Sequence, residues 1–161
     1  MTSKAAVLLI ALIGSGFLFA GGEEGKAPAV FTAAQAEAGQ AAYEKSCGRC
    51  HTYSLLGRKG DEGEVPPIAS LPAPFLKFIG PAKRVPPLVG ENFVQKYGQK
   101  KVSDLFVLFR GAANTTPVAD LHMSDDDIVN ITAYILEKNG AKPGNQPLTA
   151  TLARAFGSVV E

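Results

Sequence analysis

The run Cys47-Gly48-Arg49-Cys50-His51 constrains this chain more than any other feature. It is a C-x-x-C-H pattern, the spacing that attaches a c-type haem. On one helical turn, two cysteines three residues apart lie on the same side. Both sulfurs can then reach the two vinyl groups of one porphyrin, and His51 can offer a ring nitrogen to the iron. The chain has only two cysteines, and both lie in this run. A redox dithiol would want a βαβ pattern around it, and none is evident. A zinc site would want two more Cys or His ligands, and the only other histidine is His122. The expected cofactor is therefore one haem c per chain, held by Cys47 and Cys50, with His51 as the proximal iron ligand.

At 161 residues the chain is one domain. Residues Ala5 to Ala20 form an apolar run behind Lys4, and small residues follow at Ala20-Gly21-Gly22. This reads as a signal peptide over 1–22. The uncharged stretch from Ala5 to Gly22 is 18 residues long. A membrane span needs about 20, so an uncleaved N-terminal anchor is the alternative. Either way the domain is expected in the periplasm or at the outer face of the cytoplasmic membrane. Export also suits the cysteines, because a C-x-x-C pair in an oxidising compartment closes as a disulfide unless something consumes the thiols. Loss of residues 1–22 removes only Lys4, leaving 15 basic and 15 acidic residues. That balance argues against nucleic acid, which wants a strongly basic domain. Membrane contact is expected only through an uncleaved anchor.

Residues 23–31 read as a polar linker. A helix is expected from Thr32, which makes a capping box with Gln35. Ala36, Gly39, Ala42, Tyr43 and Ser46 then recur at helical spacing up to Cys47. Gly39 costs about 1 kcal/mol against Ala in a helix interior. Close approach by another helix would explain it, and a tolerated surface glycine is the alternative. Residues Thr52 to Val89 are rich in proline, which excludes long helices and strands. A loop this long in a compact domain is expected to have a task, such as wrapping a haem edge. A short helical turn is expected over Pro74 to Ile79.

Further helices are expected at Glu91 to Tyr97, ended by Gly98, and from an N-cap at Ser103 through Phe109 to Gly111. Leu105, Phe106, Leu108 and Phe109 cover more than one face, so that helix should be buried. The last helix starts after the Ser124 cap, with Asp125, Asp126 and Asp127 in its first turn, where negative charge suits the helix dipole. Ile128, Ile131, Tyr134 and Ile135 form its stripe, and Gly140 ends it. Residues 141–161 read as a C-terminal tail with no evident role.

This order of elements resembles the class I monohaem cytochrome c family, over about Ala33 to Gly140. Three features besides C-x-x-C-H carry the resemblance: the Gly39-to-Tyr43 helix, the turn Pro87-Leu88-Val89-Gly90, and the Tyr134-Ile135 pair in the last helix. The resemblance implies an all-α, cytochrome c-like fold over 32–140, with the proline-rich loop as an elaboration. It implies that the first and last helices cross, with Gly39 against Tyr134. It also implies that a proline carbonyl accepts the Nδ1 hydrogen of His51 and strengthens the ligand. Pro87 matches that role, with Pro67 as the alternative.

The family's distal ligand is a methionine between the last two helices. Met123 lies in that interval, directly before the Ser124 cap. His122 is an alternative donor, and an open distal site is a third arrangement. Met123 could instead be a hydrophobic staple on Ile128. The function implied is one-electron transfer with redox-protein partners and no catalytic role. The stretches Pro87 to Phe93 and Ala133 to Gly140 are similar to cytochrome domains that serve quinoprotein dehydrogenases, which suggests such an enzyme as electron donor; a terminal oxidase is a candidate next acceptor that no residue singles out. Lys83, Arg84, Lys96, Lys100 and Lys101 could form a docking patch or an ordinary solvated face. The function of a different class is a haem enzyme or gas or redox sensor with an open distal site.

Overall fold

The computed structural model describes residues 28–60 and 63–160. The signal peptide or anchor expected at 1–22 lies outside them, as does the linker through residue 27. Among the described residues the protein is all-α, with six α-helices and no strand beyond two isolated bridges. No helix among them is long and apolar enough to cross a membrane.

α1 spans Ala33–Lys45. Its capping box forms as the sequence suggests, with Gln35 N–H donating to Thr32 Oγ1 at 3.2 Å and Thr32 N–H to Gln35 Oε1 at 3.2 Å. The single turn α2, Gly48–His51, follows directly. α3 spans Ala73–Ile79 and α4 spans Glu91–Tyr97. α5 covers Val102–Thr115 and α6 covers Asp125–Lys138.

α1 and α6 make the principal crossing. Gly39 is what permits it, because a Cβ there would overlap the backbone carbonyl of Asn130. Tyr134, the partner that the resemblance implies, lies one turn after Asn130 on the same helix. It meets Tyr43, one turn further along α1, with ring centroids 5.4 Å apart. The two helices run in step at the crossing, so positions four residues apart on α1 meet positions four apart on α6. Burial pushes the Tyr43 phenol far above its ordinary value, and its hydroxyl donates to Thr52 O at 2.9 Å, just after the cysteine turn.

α5 departs from expectation at both ends. Its N-cap is Lys101, not Ser103, and Lys101 N–H donates to Asp104 Oδ2 at 3.0 Å. Gly111 does not end the helix, which continues to Thr115 and stops before Pro117. Leu105 is buried, but Leu108 is 44% exposed and Phe106 and Phe109 are only half-buried. α6 starts at its expected cap, with Asp127 N–H donating to Ser124 Oγ at 3.1 Å.

The proline-rich segment is closed at its base by an antiparallel bridge between Arg58 and Val85. Gly57, at φ 72°, is required there, since a Cβ would overlap Val85 O. Ile68, Leu71 and Phe75 from this segment join Ala113, Val118 and Ile128 in a second apolar cluster. The main cluster holds Tyr43, Phe93, Leu105, Ile131 and Tyr134.

Both ends of the domain reach further than the sequence suggests. Val30 and Phe31, assigned to the linker, are buried in the main cluster. Residues after Gly140, read as a tail, fold onto the same core. Leu148 N–H donates to Gln35 Oε1 at 2.7 Å, Ala155 bridges Lys101, and Phe156 packs edge-on against Phe93 at 5.6 Å. Phe156 and Val159 are fully buried.

Candidate haem-attachment site

Tyr43 and Ser46 are buried at the end of α1, which delivers the chain directly into the cysteine turn. His51 N–H donates to Cys47 O at 2.8 Å and Cys50 N–H to Cys47 O at 3.0 Å, so Cys47, Cys50 and His51 share one tight turn. Both cysteines are free thiols and half-buried. Burial raises both thiol pKa values, with the Arg58 charge partly opposing this at Cys50. Neither is the depressed thiolate of a reactive redox dithiol.

The two thiols face different parts of the core. Cys47 packs against the main cluster and Cys50 against the second one. Met123 and Phe109 touch both. An apolar plate bonded to both sulfurs would lie along the seam between the clusters. The Arg49 guanidinium sits over the Phe75 ring at 5.2 Å, tying the turn to α3.

His51 Nδ1 lies 2.8 Å from a proline carbonyl, and that proline is Pro86 rather than Pro87 or Pro67. A carbonyl only accepts, so Nδ1 carries the proton and Nε2 keeps its lone pair. Burial lowers the His51 pKa, opposed by the Pro86 hydrogen bond, and the neutral ring is the form a metal needs. The register explains the one-residue correction. Val85 exchanges both backbone hydrogen bonds with Arg58, and Gly57 N–H donates to His51 O at 3.0 Å, so the residue directly after Val85 is the proline held beside His51. Leu88 N–H bonds Leu55 O at 2.8 Å and holds the segment from its other end. The Pro67 carbonyl is taken by Ser70, through N–H at 3.0 Å and Oγ at 2.7 Å. Asn139 ties the end of α6 to the same turn, donating to Leu88 O at 3.0 Å and accepting from Gly90 N–H at 3.2 Å.

The distal candidates separate clearly. His122 is exposed, in a left-handed conformation at φ 48°, where it ends the turn Pro117–Leu121. Met123 is half-buried and reaches both clusters, the second of which contains Ile128. A groove of about 430 Å³ opens beside Met123, lined by Ala38, Ala41, Ala42, Lys45 and Leu121 among others. The basic residues singled out from the sequence do not all share one environment. Lys96, Lys100, Lys101 and Arg84 are exposed, whereas Lys83 is half-buried.

Three residues of the site escape sequence reading. Pro86 is hidden by its neighbour, since either proline of the Pro86-Pro87 pair suits the pattern. Arg58, in a loop of Gly and Lys, reads as an ordinary surface cation but is buried. Arg110, on a helix read as apolar, donates to Met123 O.

The donor set fits a covalently held haem: two free thiols on one turn, a neutral imidazole with Nε2 available, and an apolar seam. Comparison with curated proteins and with solved structures finds no match. Residues 34–135 match the family model described as cytochrome c oxidase, cbb3-type, subunit III. That span is well over half the chain and contains the cysteine turn, the His51–Pro86 pair and Met123, so this protein belongs to that family of c-type cytochrome domains and is a haem-binding electron carrier.

Proposed function

We propose that this chain is an exported, single-haem electron carrier with His51 and Met123 as its axial ligands. One observation carries the reading. The Pro86 carbonyl fixes the His51 ring with Nε2 free, on the same turn as both thiols. When bound, haem c supplies a one-electron Fe(III)/Fe(II) couple. Cys47 and Cys50 hold the group by thioether bonds. Apolar side chains of the two clusters exclude water, which lets the protein rather than solvent set the potential.

Met123 is favoured over His122 because it lies inward, against both clusters, while His122 is exposed. A thioether opposite histidine raises the potential, as suits a carrier. Residues 1–22 would direct export, as a cleaved signal or a retained anchor. The similarity of Pro87 to Phe93 and Ala133 to Gly140 to quinoprotein-associated domains favours such a dehydrogenase as donor.

The test is a pair of visible spectra of the exported protein, oxidised and reduced, for wild type and Met123→Ala. A weak far-red sulfur-to-iron band in the wild type, lost in the variant, supports the reading. Rapid CO binding by the reduced wild type would instead point to an open distal site and a sensor or enzyme.

A further inference from the structure

Arg58 is the largest fully buried side chain of the described residues. A guanidinium is almost never fully buried unless it is paired. Here Nη1 pairs with Glu64 Oε2 at 3.1 Å, and Nη2 donates to Arg49 O at 2.9 Å and Pro66 O at 2.7 Å. Nε has no partner. The arrangement therefore keeps a buried cation that is incompletely satisfied, an expensive feature for a loop.

Its connections explain where it acts. Arg49 lies between the two cysteines, so the Arg58 side chain is bonded directly to the attachment turn. The backbone of Arg58 bridges Val85, with N–H to O at 2.9 Å and the reverse bond at 3.0 Å. Val85 immediately precedes Pro86, whose carbonyl orients His51. One residue thus joins the thiol turn to the histidine's acceptor. Its charge lies a hydrogen bond away from the residue next to Cys50. Glu64, the balancing anion, retains 15% side-chain exposure and so sits nearer to water.

We propose that Arg58 is a positioning residue of the haem site, and that its buried charge, balanced by Glu64, sets how readily the site accepts an electron. The physical reason is Coulombic. A cation in a low-dielectric surround favours the state carrying one more electron, and a neighbouring anion offsets it. The inference rests on attachment through Cys47, Cys50 and His51.

The experiment is equilibrium redox titration of exported wild type, Glu64→Gln, Arg58→Lys and Arg58→Met, with denaturing-gel haem staining of each. Glu64→Gln should raise the midpoint potential and Arg58→Met should lower it, while Arg58→Lys should stay nearer to wild type. A merely structural role would loosen the site in both charge variants and move them the same way. Shifts of one sign, or none, overturn the proposal. If Arg58→Met yields no haem-bearing protein, Glu64→Gln decides alone: an upward shift supports the proposal, and an unchanged or lowered potential overturns it. Failure of the attachment reading would look different, as wild-type protein without covalent haem.

Discussion

Arg110 Nη1 donates to the carbonyl oxygen of Met123 at 2.6 Å, and its Nε pairs with Asp125 Oδ1 at 2.9 Å. The guanidinium spans the Ser124 cap and holds the chain on both sides of it. Hydrogen bonds to charged groups contribute roughly 1.5–3 kcal/mol, whereas an exposed ion pair contributes about 0–1 kcal/mol. Asp125 is well exposed. Arg110→Ala should therefore cost stability by roughly 1–3 kcal/mol and weaken the sulfur-to-iron band. Asp125→Asn should do little of either. Urea unfolding and spectra of both variants check this, and equal effects would place the weight on the ion pair instead.

Two helical glycines should respond oppositely to alanine. At Gly39 a Cβ overlaps Asn130 O, so Gly39→Ala must push α1 and α6 apart. Overpacking of this kind typically costs about 1–3 kcal/mol. At Gly111, inside α5, a Cβ meets nothing within 4 Å. Gly111→Ala should stabilise by roughly 0.5–1 kcal/mol, because glycine is the poorer helix former. Thermal unfolding of the two variants reads the sign directly.

His122 should tolerate replacement. It is exposed and sits at φ 48°, ψ 50°, a left-handed conformation that suits glycine. His122→Gly should keep the wild-type spectrum and leave stability unchanged or up to about 1 kcal/mol higher. A change in the spectrum's axial-ligand signature would mean that His122, not Met123, binds the iron.

The segment after Gly140 should prove integral to the domain. Phe156 is fully buried against Phe93. Phe156→Ala should cost about 3–5 kcal/mol, as for other buried aromatics. A denaturation midpoint close to wild type would show that this segment detaches without consequence.

The attachment turn was legible in the chain itself, because covalent chemistry demands its residues at set spacing. So were α1, α4 and α6, whose capping residues and apolar periodicity are local properties. The all-α fold class was what the order of those elements implied through its resemblance to cytochromes c. Gly39 announced a close approach, but not what approached it. The register of two crossing helices depends on both surfaces together, and only the folded pair brings Asn130 to Gly39 and Tyr134 to Tyr43. The choice of Pro86 over Pro87 was likewise tertiary. It follows from the Arg58–Val85 bridge, which fixes the residue next to Val85 beside His51, and the two bridged residues lie far apart in sequence. Arg58 shows the limit most clearly. Its type and neighbours describe a surface cation, and burial became its defining property only when the proline-rich segment closed over it. Local chemistry thus marked the turn at which a haem would attach and most of the helices. Long-range packing alone decided which groups orient its ligand and which charge is sealed beside it.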